Sequence, residues 1–191
     1  MILLLALLIN TVPFLTIDCK EINWQVTAKS HLEISGISNV NEFHCLSLNY
    51  EGQDIMKETC MEIDDRSSLS GEIIMKSVGF DCHNAIMTND LVKTIKAHEY
   101  PEIGIRFIGL QQDHYNTDLL SGDVKITLAG KSKTYRISCL IKDESAQRKH
   151  LEGSCIFRFS DFDLEPPSKL LGAIRVKDTM SVDFHLKLQG V

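Results

Sequence analysis

The chain has 191 residues, 43% of them hydrophobic and 24% charged, with a formal net charge of −6. That length suits one domain with a sizeable core. The acidic balance argues against a nucleic-acid-binding surface, which needs clustered Lys and Arg to meet phosphate; Lys131, Lys133 and Arg136 are the nearest approach to a basic cluster and read as a solvated hairpin flank.

The first eighteen residues, MILLLALLINTVPFLTID, hold an apolar run from Ile2 to Ile9 and no charged side chain before Asp18. The run is too short to span a bilayer, which takes about 20 apolar residues, and fits the apolar part of a secretory signal. The expectation is a signal peptide over 1–18, one domain over 19–191, no transmembrane span in the mature chain, and a periplasmic or secreted location in a Gram-negative envelope. Asp18 directly before Cys19 argues against lipidation. The competing reading is a buried N-terminal strand.

From Ile22 the chain alternates. INWQVTA (22–28) and HLEISGISNV (31–40) read as the first strands. NEFHCLSLNYEGQDIMKETCMEI reads as a hairpin over 42–63 that turns at Gly52-Gln53. Cys45 and Cys60 are symmetric about that turn, which predicts a cross-strand disulfide. After the polar loop DDRSSLS comes GEIIMKSVGF (71–80), apolar in part on both faces. MTNDLVKTIKAHEYP reads as the one helix. Thr88 is its N-cap, and Leu91, Val92 and Ile95 form a narrow apolar stripe. Lys93, Lys96 and His98 lie toward its C-terminus, and Pro101 ends it near His98. Such a helix docks as a lid or plug, and it carries no catalytic arrangement.

EIGIRFIGLQ (102–111) is the next strand, followed by a hairpin over 122–141 that turns at Gly130-Lys131. GSCIFRFSDF (153–162), the break LEPPSKLLG (164–172) and TMSVDFHLKLQ (179–189) complete the chain. Cys139 and Cys155 are symmetric about Gln147, which predicts a second hairpin disulfide. Two disulfides need an oxidising compartment; the alternative is buried reduced thiols. Cys19 and Cys82 are left over, and nothing in their spacing requires them to pair. Strand after strand sets one apolar face against one wet face, the pattern of an antiparallel sheet solvated on one side. About eight such strands close on themselves and lose their edges; a sandwich fits the alternation as well.

No catalytic chemistry assembles. The seven His show no HxH or HExxH spacing, no CxxC occurs, and no phosphate-cradling loop is present. His83 beside Cys82 is no thiol site, because strand neighbours point to opposite faces. Neither a metal nor a cofactor is expected.

LSGEIIMKSVGF followed by MTNDLVKTIKAHEYPEIGIRF resembles the core of the YceI-like family, on Asp90, Leu91, Tyr100, Pro101, Ile103, Ile105 and Phe107. GDVKITLAGKSKTYRI and VDFHLKLQG are similar to further family segments. Trp24 and the 35–43 stretch resemble a branch common in Bacteroidetes. The resemblance runs from about Ile22 to Gly190. The helix departs from it, with TNDLVK where the family has Arg-Asp-x-His-Leu. It implies an all-β, antiparallel, lipocalin-like barrel of eight strands with one short inserted helix. It also implies a non-catalytic binding role for a long apolar, isoprenoid-like lipid in the envelope. Ile73, Met75, Ile105, Phe107, Val124, Ile126, Leu128, Ile137, Phe157, Phe159, Phe184 and Leu186 would line the interior. Alternation fits a filled barrel, acting as a structural or interaction module, as readily as a hollow one; the resemblance tips the reading toward hollow.

Overall fold

The structure is a computed structural model that describes residues 21–60 and 66–191. The signal-peptide reading and Cys19 lie outside the described residues. In chain order the elements are β1 (Ile22–Val26), β2 (His31–Ser38), β3 (Glu42–Ser47), β4 (Ile55–Cys60), β5 (Ser67–Lys76) and β6 (Phe80–Asp81), then α1 (Ala85–Thr94). There follow β7 (Glu102–Gln112), β8 (Leu119–Leu128), β9 (Lys131–Ser145), β10 (Arg148–Arg158), β11 (Ser168–Lys169) and β12 (Ile174–Gly190).

Eight strands close a ring in the order β1-β4-β5-β7-β8-β9-β10-β12, sealed by β12 against β1. Every pairing is antiparallel. This is the expected eight-stranded, lipocalin-like barrel with one short helix. β12 is long enough to do two jobs: Leu188–Gly190 pairs with β1, and Val176–His185 pairs with β2. β3 adds to β2 and β6 to β3, which raises the wall at one end.

The period-two pattern decides which side chains go inside. In β8, Leu120, Val124, Ile126 and Leu128 are buried, while Asp123, Lys125 and Thr127 remain partly exposed. One cluster of buried apolar residues fills the ring from Trp24 to Leu188.

Several local expectations need correction. The stretch 42–60 is no hairpin. β3 and β4 run in the same direction as successive lengths of one wall position, β3 against β2 and β4 against β1. Gly52 (φ 72°) serves a detour between them, where its α-carbon packs so close to Ala28 N that a Cβ would sit 2.3 Å away. Cys45 therefore never meets Cys60. It pairs with Cys82, just after β6, while Cys60 is engaged in a disulfide of its own.

In the later hairpin the register is slipped by two residues from the symmetric one. Ala146-Gln147 makes the turn and a bulge follows, so Gly153, not Cys155, stands opposite Cys139. A two-residue slip keeps both thiols on the inner face, where Cys139 and Cys155 are buried and free. The preceding hairpin turns at Ala129-Gly130, since Leu128 pairs with Lys131.

The helix starts earlier than its sequence signals indicate. Asn84 caps it, its Oδ1 accepting from Ile86 N and Met87 N. Thr88 Oγ1 instead accepts from Cys82 N at 3.0 Å and so ties β6 to the helix. Leu91 and Ile95 are buried as the stripe requires.

Candidate functional site

The barrel interior is the candidate site. All of the expected lining residues except Ile105 are buried; Ile105 is half-buried, set between Ile73 and Ile126 in adjacent strands and packed on the core. Phe159 is the one lining residue that leaves the strands. It opens a 3-10 turn, Phe159–Phe162, which folds two aromatic rings back over the opening. Phe157 meets Phe162 edge to face at 5.7 Å between ring centroids.

At mid-height the lumen is crossed. Phe107 on β7 and Phe184 on β12 come from strands four places apart in either direction round the ring, on opposite sides of it. Their rings meet edge to face at 5.8 Å. Gly153 makes room for this, because a Cβ there would lie 2.6 Å from Phe184 Cζ. The aromatic pair divides the interior into an upper and a lower part.

The upper part opens toward α1. There an apolar cavity of about 60 Å³ is lined by Phe43, the Cys45–Cys82 disulfide, Met87, Leu91, Phe159, Pro167 and Val176, with Asp90 at its margin. Asp90 receives a hydrogen bond from Lys169 at 2.7 Å, so the helix is tied across the mouth to β11. Of the residues expected to line the interior, Phe159 alone reaches this cavity. Phe43, Met87, Leu91 and Val176 were missed; the helix stripe was the available signal, because an apolar face on a lid must rest on what lies beneath it.

Electrostatics at the mouth hold the 3-10 turn in place. Tyr135 donates to Asp161 Oδ2 at 3.0 Å, and burial, reinforced by that carboxylate, pushes the phenol pKa well up. The same hydrogen bond, with Lys133 nearby, holds Asp161 below the usual carboxylate range. Lys131 does the same for Asp163 through a 2.7 Å ion pair. Inside the ring, burial pushes the Cys139 thiol up to about 12 and raises that of Cys155. Neither is a ready nucleophile.

The lower end is closed differently. Trp24 Nε1 donates to Glu58 Oε2 at 2.8 Å. Lys149 reaches the same carboxylate at 2.9 Å and lies 4.9 Å from the Trp24 ring. The side chains of Lys149 and Glu58 are only 16% and 12% exposed.

No family model matches this sequence, and no curated protein matches it either. Solved structures do. BcnA of Burkholderia cenocepacia superposes with a TM-score of 0.66 at 14% identity, covering 84% of this chain and 96% of that one. A polyisoprenoid-binding domain from Saccharophagus degradans, implicated in plant cell wall breakdown, gives 0.56 at 11% identity over 90% and 100%. The Campylobacter jejuni YceI protein gives 0.52 at 15% over 64% and 72%. The fold is that of the YceI-like proteins. Among the described residues, no helix is long and apolar enough to cross a membrane.

Proposed function

We propose that this protein is a non-catalytic binder of a long apolar lipid, polyisoprenoid-like in class, taken up through the α1 end of the barrel for transport or storage. One observation carries the reading: the upper interior opens into an apolar cavity beneath a tied-down helix, with a single carboxylate at its margin. A hydrocarbon tail needs no more than that, since each buried CH₂ contributes roughly 0.8 kcal/mol. The Saccharophagus domain of the same fold supports the ligand class. The apolar N-terminal run and the Cys45–Cys82 bond agree with an oxidising, extracytoplasmic compartment.

A cavity of 60 Å³ is smaller than the roughly 150 Å³ that holds a benzene ring. A tail must therefore displace side chains as it enters, Phe159 first and the Phe107–Phe184 pair next. That pair also favours a second reading, a filled barrel that acts as a scaffold through its outer surface. Organic extraction of natively purified protein followed by mass spectrometry separates the two. Carriage predicts a stoichiometric lipid in wild type and none in Met87→Trp, whose indole fills the cavity while the core stays intact. Lipid-free wild type from its native host, or undiminished lipid in Met87→Trp, overturns the carrier reading.

A further inference from the structure

On the outer wall, away from the lumen, three imidazoles line up across three strands. His31 on β2 stands opposite His185 on β12, and His185 stands opposite Glu152 on β10. His150 lies two residues before Glu152, on the same face of β10 by the period-two rule. The His31 and His185 rings are stacked at 4.9 Å with 20° between planes, and His150 lies 5.8 Å from His185. The structure thus assembles an H-x-E pair on one strand with a His from the next. One ligand atom from each of His150, Glu152 and His185 lies within 4.8 Å of the other two.

Two details mark this as more than packed side chains. His150 Nε2 is buried and has no hydrogen-bond partner among the described residues. A buried imidazole nitrogen with nothing to bind is costly and calls for an explanation. The Glu152 carboxylate is also split in use: Oε1 accepts from Lys142 at 2.5 Å, while Oε2 faces His150 Nδ1 at 3.9 Å. One oxygen is held by an outer partner and the other is turned toward the cluster, the way ligating carboxylates are oriented at metal sites.

We propose that His150, Glu152 and His185 bind a borderline divalent cation of the zinc class. Two imidazoles and one carboxylate, with a fourth position left open, are a donor set that zinc accepts in tetrahedral geometry. Zinc at 2.0–2.1 Å from each ligand requires ligand atoms roughly 3.3 Å apart, so the side chains close in by a rotamer adjustment and the backbone stays put. Calcium and magnesium prefer more oxygen ligands than the cluster offers. Lys142, and Lys187 opposite His150, place positive charge beside the ion, which weakens its binding. The cation would staple β10 to β12, the two strands that carry Gly153 and Phe184, and it needs no lipid in the lumen.

The test uses the full chain after treatment with chelator. Calorimetric titration with zinc is expected to give one ion per chain, and cobalt is expected to give the visible absorption of a four-coordinate site. His185→Ala and Glu152→Gln are each expected to weaken binding at least tenfold. His44→Ala, which removes an exposed histidine paired with Glu33 on the same wall, is expected to leave it unchanged. Melting of each variant without metal reports the fold independently, and the wild-type melting temperature is expected to rise with zinc where that of His185→Ala does not. Absence of stoichiometric binding to wild type, or wild-type affinity in the folded Glu152→Gln variant, overturns the proposal.

Discussion

At the lower end of the barrel, Trp24 lies under a lysine and donates to the carboxylate which that lysine also holds. At the upper end, a disulfide, a helix face and two Phe rings meet around empty apolar volume. The lower closure is directional: an ion pair little exposed to water needs its geometry, and each partner is expensive to strand. The upper closure is made of dispersion contacts that other apolar atoms can replace. Only the second kind can open and re-form around a hydrocarbon guest at small cost, so the two ends differ in stiffness by construction.

The largest test of this contrast is Glu58→Ala, which removes the nearest partner of the little-exposed Lys149 ammonium and leaves it only the exposed Asp143 carboxylate at 3.5 Å. A loss of about 3 kcal/mol is expected in denaturant unfolding, with most of it recovered when Lys149→Met is added. Removal of the upper staple by the paired change Cys45→Ala and Cys82→Ala, a bond across a sequence separation of 37, is expected to cost about 2–4 kcal/mol through the unfolded chain. Reductant should then have less effect on the variant than on wild type. Asn84→Ala removes the helix cap and is expected to cost about 1 kcal/mol, read as faster amide exchange over α1 with the lower end unaffected.

The smallest effect is in pH. Asp161 and Asp163 have carboxylates lowered in the folded state by Tyr135 and Lys131 respectively. Their contribution is therefore present above the ordinary carboxylate range and fades as pH falls through the lowered values, below about 4. Amide exchange in the Phe159–Phe162 turn should rise there before the barrel unfolds.

Alternation made most of the wall legible. Throughout β8, over Ile137–Ile141 of β9 and over Phe184–Leu188 of β12, every second residue went inside as its polarity predicts, and closure followed from the number of such strands. What escaped the sequence was pairing at a distance. Gly52-Gln53 carries a genuine hairpin signal, yet β1 and β2 already occupy the edges that β3 and β4 would have offered each other. Tertiary competition overrode the turn, and with it the Cys45 partner. Cys139 and Cys155 failed for a smaller reason, a bulge at Arg148-Lys149 that no composition announces. At the helix, Asn84 and Thr88 are both credible caps by type, and position relative to β6 decided between them. The histidine cluster was half-visible: H-x-E was present in β10 as His150-Leu151-Glu152, but its third member arrives from β12 and only register brings it there.

Closure of the ring joins Trp24 to Gly190, nearly the full length of the described chain. The first strand finds β4 along one edge, but its other edge has no partner until β12 is synthesised. Folding of such a chain must wait for its final residues and pay the entropy of the longest loop at the end. A chain released to fold only once it is whole loses nothing by that delay, because its seam cannot form early in any case.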